Sequence, residues 1–167
     1  MQKSLSFETE VSATPEAAWV WITSFDGISK EMSPLVHMSA PKGVKDLSSV
    51  TFESGVPMFR SWITLFGVLP IDYSNLTLLT LNPGFGFVEQ SPMGSMKLWR
   101  HERQIVALDA GCKITDTLTF EPRFAGRLIS GIVEVLFTHR HKMLSKYLGV
   151  YAADPSLKAH HSDGRRP

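Results

Sequence analysis

At 167 residues with a formal net charge of +1, the chain is the size of one domain and carries no field that would draw it to a polyanion. Hydrophobic residues at 43% and charged residues at 20% suit an ordinary globular core and exclude a disordered or membrane-embedded class. No basic stripe with interleaved aromatics precedes the last few residues, so nucleic acid is not an expected partner.

Leu5, Phe7, Thr9 and Val11 alternate with polar neighbours, the period of a half-buried strand. Thr14-Pro15-Glu16 supplies an N-cap, a proline at the first helical position and an acidic first turn. Ala18, Trp21, Ile22 and Phe25 then recur at helical spacing, Gly27 is expected to interrupt the helix, and residues 28–32 predict a second short helix ended by Pro34. Strands are predicted at 35–40, 48–54, 59–67, 71–82, 85–91, 97–108 and 112–121, separated by Gly, Pro, Asn and Asp turns such as Asn82-Pro83-Gly84 and Asp109-Ala110-Gly111. Such short connections imply an antiparallel meander. After Pro122 the period changes, and Leu128, Ile129, Ile132, Val133, Leu136, Phe137, Met143, Leu144, Tyr147 and Leu148 outline a broad apolar stripe on a long helix. Residues 1–150 are read as one domain and 151–167 as a poorly ordered tail.

This order gives an α+β fold in which a curved antiparallel sheet of about seven strands wraps a long C-terminal helix. A curved sheet held off a helix leaves space between them. A void of roughly 300 Å³ would cost about 7 kcal/mol at about 24 cal/mol per Å³, so such a hollow is either occupied or narrowed by bulky side chains. Cys112 is the lone cysteine, which excludes a disulfide within the chain and suits a reducing compartment. The N-terminus has no apolar export region and no run reaches the length of a membrane span, so a cytoplasmic protein without stable membrane insertion is expected.

Several strings resemble the START-related helix-grip superfamily, which includes aromatic polyketide cyclases, lipid-transfer START domains and birch-pollen-type allergens. They are the opening strand with Thr14-Pro15-Glu16-Ala17-Ala18-Trp19, the Phe87-Val88-Glu89-Gln90 strand, the Gly94 turn, Trp99-Arg100-His101, the run from Asp109 to Asp116, and Phe137-Thr138-His139-Arg140-His141. Together they span residues 4 to 149 and look like a bacterial, cyclase-like branch. The resemblance implies the helix-grip fold and an internal ligand cavity. It implies no single activity, because transport, sensing and catalysis share this scaffold.

Registering the last hairpin on an Ala110-Gly111 loop pairs Asp109 with Cys112 and sets Ile105 opposite Asp116. One face then carries Trp99, His101, Arg103, Ile105 and Ala107 with Ile114, Asp116, Leu118 and Phe120. Asp116 thereby becomes an inward carboxylate with Arg103 diagonally in reach. On the long helix, Arg140 falls inside the apolar stripe and requires a carboxylate, Asp116 or Glu89. His139 lies at the margin of that stripe and His141 points largely away. The expected ligand wall comprises Trp62, Phe85, Phe87, Glu89, Trp99, His101, Arg103, Asp116, Leu118, Phe120, Leu136, Arg140 and Met143. For Asp116 and Arg140 a purely structural ion pair explains the same residues.

No cofactor or metal is expected. His139 and His141 diverge on a helix, and His101-Glu102 lacks the second His of a zinc motif because Ile105 stands there. There is no nucleophile elbow, and Gly84-Phe85-Gly86 lacks the rest of a phosphate loop. Three readings follow. The first is binding of a hydrophobic small molecule or lipid. The second is a cyclase- or dehydratase-like enzyme using His101, Asp116, Glu89 and Arg140. The third is a protein-interaction module, and the oligomeric state is open.

Overall fold

The computed structural model describes residues 1–151. The chain runs β1 (Lys3–Val11), α1 (Pro15–Thr23), α2 (Phe25–Met32), β2 (Val36–Met38), a 3-10 turn (Leu47–Ser49), β3 (Pro57–Leu65), β4 (Leu69–Asn82), β5 (Gly86–Gln90), β6 (Met96–Leu108), β7 (Gly111–Pro122) and α3 (Gly126–Leu148). The tail expected at 151–167 lies, beyond Tyr151, outside the described residues. All seven strands join one antiparallel sheet in the order β1-β7-β6-β5-β4-β3-β2. This is the expected helix-grip fold, a curved sheet around a long C-terminal helix with two short helices after the first strand. Irregularities in the β3–β4, β4–β5 and β6–β7 pairings bend the strands and help the sheet to coil. β5 can lie close against β6 because Gly86 has no side chain: a Cβ there would sit 2.0 Å from the carbonyl oxygen of Arg103, at φ +141°. Gly86→Ala is expected to lower stability by about 1–3 kcal/mol, measured by urea denaturation.

Three local expectations are corrected. Segment 48–54 forms no strand: Asp46 accepts from the Ser49 amide and starts a 3-10 turn, after which the chain stays irregular to Val56. The break between the short helices falls at Ser24, not Gly27. Ser24 closes α1, and its hydroxyl accepts from the Gly27 amide to start α2. The β6–β7 turn is Asp109-Ala110, so Ile105 faces Ile114 and Arg103 sits directly opposite Asp116. The register is displaced by two residues from the sequence reading, which keeps every side chain on its assigned face.

The inward face is layered. Val11, Ala18, Ile22, Leu78, Phe87, Ile105, Cys112, Ile114 and Leu144 form one apolar cluster, and Met96, Leu118, Phe120, Val133 and Phe137 form another. Between them, His101 and Arg103 on β6, Asp116 on β7, and Arg140 with His141 on α3 occupy intervening positions and are all buried. The stripe on α3 is narrower than the sequence suggests. Leu128 and Ile132 face outward with Val135, and Tyr147 is also exposed, because the sheet covers only one side of the helix.

A buried ionic layer beside a small cavity

Asp116 is fully buried and accepts four hydrogen bonds. Oδ1 takes Nε2 of His101 at 2.9 Å and Nε of Arg103 at 2.6 Å; Oδ2 takes Nη2 of Arg103 at 2.6 Å and Nε2 of His141 at 3.1 Å. Burial alone would raise this carboxyl, but the Arg103 guanidinium, seconded by His101, holds it well below the usual carboxylate range. Burial would likewise disfavour the charge on Arg103, and Asp116 with Glu31 reverse that, raising it above its ordinary value. Asp116 is therefore a fixed anion, and both imidazoles present Nε2–H to it. Nδ1 of His141 pairs with the Thr9 hydroxyl at 2.7 Å.

The other half of the layer centres on Glu31 of α2, which the sequence reading did not single out. Oε2 accepts from Arg103 Nη1 (3.0 Å), Arg140 Nε (3.2 Å) and Arg140 Nη2 (2.9 Å), while Oε1 accepts from the Trp21 indole at 3.1 Å. Arg140 thus pairs with Glu31, not with Asp116 or Glu89, because α2 packs between α3 and the sheet. The cue in the sequence was the spacing of Ile28, Glu31 and Met32, which puts the carboxylate on the apolar face of a short helix. His141, expected to point away, is buried against Asp116 because α3 is gripped by β1 as well as β7. His139 donates or accepts nothing within the layer; its Nε2 lies 2.7 Å from the Ser33 carbonyl, as suits the margin of the helix.

A cavity of about 70 Å³ adjoins this layer. Ile22, Phe25, Ile28, Ser29 and Met32 wall it from the short helices, with Met38, Ser39 and Leu47 from the segment that follows. The sheet contributes Phe59, Ser61, Leu76, Leu78, Phe87, Glu89 and His101, and α3 contributes Arg140. A dry cavity of this size would cost roughly 2 kcal/mol at about 24 cal/mol per Å³, which a domain tolerates. Bulky side chains have narrowed the hollow rather than removed it. Glu89 is held by Ser91, whose hydroxyl donates to Oε1 at 2.5 Å. Its Oε2 lies 3.7 Å from Nδ1 of His101, too far for a hydrogen bond.

Of the residues nominated from sequence, Phe87, Glu89, His101 and Arg140 line this cavity, and Arg103 and Asp116 lie in the ionic layer beside it. Trp99, Leu118, Phe120 and Leu136 pack instead around Phe137 in the second apolar cluster. Met143 is half-buried on α3 away from the lining, one turn beyond Arg140. Trp62 and Phe85 are exposed, because each projects from the other face of its strand or turn into a surface groove, Trp62 beside Tyr73 and Phe124, and Phe85 beside Gln104. Cys112 is buried, and burial, with the Glu16 carboxylate, pushes its thiol up, which is the opposite of an activated nucleophile. Among the described residues no group of His, Cys, Asp and Glu is arranged to hold a metal ion, and no helix is long and apolar enough to cross a membrane.

A family model described as a domain of unknown function, DUF8410, matches residues 9–148. No curated protein matches the chain in sequence. Solved structures share its architecture at low identity. A protein from Chromobacterium violaceum superposes with a TM-score of 0.67 at 13% identity, covering 87% of this chain and 96% of its own. The Zhui aromatase/cyclase of a Streptomyces species gives 0.61 at 12% identity, covering 86% and 92%. A START superfamily protein from Mycobacterium smegmatis gives 0.60 at 10% identity, covering 88% and 96%. At these identities the likeness is one of fold, a START-like helix-grip architecture.

Proposed function

The chain belongs to the DUF8410 family, and from its site we propose that it binds a small hydrophobic molecule in the cavity between α2, β2 and the sheet. The observation that carries this reading is the lining: an apolar wall of Ile22, Phe25, Ile28, Met32, Phe59, Leu76, Leu78 and Phe87 into which only a few polar groups converge. The helix-grip fold supports it, since the likeness to an aromatase/cyclase and to a START superfamily protein suggests a role in binding a hydrophobic ligand. At about 70 Å³ the cavity holds few heavy atoms. A larger ligand enters by displacing Leu47, which is buried at its edge on a segment with little regular structure.

Native mass spectrometry of freshly purified protein is expected to reveal a co-purifying small molecule. Ser61→Ile, which pushes bulk into the lining from β3 at the cost of one hydrogen bond to the Ser39 carbonyl, is expected to abolish its retention while the protein stays folded. Identical retention by the filled variant would defeat the proposal.

A second reading has an observation in its favour: His101 and Glu89 both line the cavity with an imidazole nitrogen and a carboxylate oxygen 3.7 Å apart. That pair supplies an acid and a base for a cyclase- or dehydratase-like reaction on an aromatic or polyketide-like substrate. Recovery of the co-purified molecule at unchanged mass after prolonged incubation speaks for binding; conversion that stops in His101→Gln speaks for catalysis.

A further inference from the structure

From the atoms left unused in the cavity lining, we infer that the ligand head is uncharged and hydroxyl-bearing, and that carboxylate and ammonium heads are excluded. This deepens the binding reading and rests on the cavity being the ligand site. Arg140 spends Nε and Nη2 on Glu31, and among the described residues its Nη1 has no hydrogen-bond partner. Glu89 gives Oε1 to the Ser91 hydroxyl and leaves Oε2 without a hydrogen bond. His101 gives Nε2 to Asp116 and leaves Nδ1 facing Glu89 at 3.7 Å. Beside the hydroxyls of Ser29, Ser39 and Ser61, the lining therefore offers one guanidinium donor, one carboxylate acceptor and one imidazole nitrogen.

The signs of these groups decide the head. A carboxylate that bonds to Arg140 shares the cavity with Glu89, and an ammonium that bonds to Glu89 shares it with Arg140. Either charged head meets a like charge in a largely buried space. A hydroxyl meets neither. Its proton goes to Glu89 Oε2 and its oxygen accepts from Arg140 Nη1, so both free atoms are satisfied by one group. The rest of the layer weighs further against a carboxylate. Glu31, Glu89 and Asp116 face two arginines, Arg103 and Arg140. Carboxylates thus outnumber arginines by one, and an incoming anion enlarges that excess where burial makes it most unfavourable.

Four probes of one ring size separate these possibilities: benzyl alcohol, benzoate, benzylamine and toluene. Each is titrated by NMR into the full chain and into Leu47→Ala, which widens the cavity edge. Benzyl alcohol is expected to bind at least about 10-fold more tightly than benzoate or benzylamine, and more tightly than toluene. Glu89→Gln removes the negative sign from the lining and is expected to raise benzoate affinity about 10-fold while weakening benzyl alcohol. If Glu89→Gln fails to fold, the ranking on the other two proteins decides. Tighter binding of benzoate, benzylamine or toluene than of benzyl alcohol overturns the head-group assignment and leaves the cavity standing. Failure of all four probes, toluene included, in both proteins overturns the assignment together with the binding reading.

Discussion

Arg103→Met is expected to lower the unfolding free energy by about 3–5 kcal/mol at neutral pH, measured by urea denaturation. The guanidinium is fully buried and bonds both Asp116 and Glu31, so its loss takes from buried Asp116 its arginine partner and leaves Glu31 with Arg140 as its one remaining arginine. Methionine replaces most of the volume and none of the charge, which keeps the effect electrostatic. The acid side gives a second readout. The carboxyl of Asp116 is depressed in the folded state, so it contributes stability above its unfolded value near 3.9 that is lost as pH falls toward the lower folded value. Wild-type stability should therefore decline progressively below about pH 5. In Arg103→Met the Asp116 carboxylate has lost that partner and gains by protonation, so the gap between variant and wild type should narrow over the same range. A loss under about 1 kcal/mol, or a gap that ignores pH, would show that the layer is looser than its geometry.

Phe137→Ala should cost a similar amount, about 3–5 kcal/mol. Its ring is buried at the centre of the grip. It stacks on Phe7 at 5.8 Å, meets His101 edge-on at 5.3 Å, and lies under the Arg140 guanidinium at 4.8 Å. Removing it leaves a hole that neither the sheet nor α3 can close, because both are held by the ionic layer one turn away. Val135→Ala on the same helix is the contrast. That side chain is 62% exposed, so the change should stay within about 0.5 kcal/mol. Equal losses at the two positions would mean that α3 is rotated from the orientation described.

The face of each β6 and β7 residue was legible from the sequence even though the turn was misplaced. Side chains alternate with a period of two, so a register displaced by two residues returns Asp116 and Arg103 to the same surface. Glu31 was not legible in the same way. On an eight-residue helix that also carries Asp26 and Lys30, a carboxylate reads as solvated, and only the flanking Ile28 and Met32 hint otherwise. The strand expected at 48–54 failed for a related reason. A local Asp46 cap outweighed the β preference of Val50 and Phe52.

Hydrophobic period, turn residues and the inward positions of Asp116, Arg140 and His101 are local properties, carried by each segment wherever it ends up, and they specified the element order, the sheet faces and the presence of buried charge. Which charge meets which is not local. Glu31 lies 72 residues from Arg103 and 109 from Arg140, and its pairing with both exists only because α2 packs between α3 and the sheet. The cavity is likewise a remainder, the volume left when α2, the 3-10 turn, the sheet and α3 have packed as closely as their side chains permit.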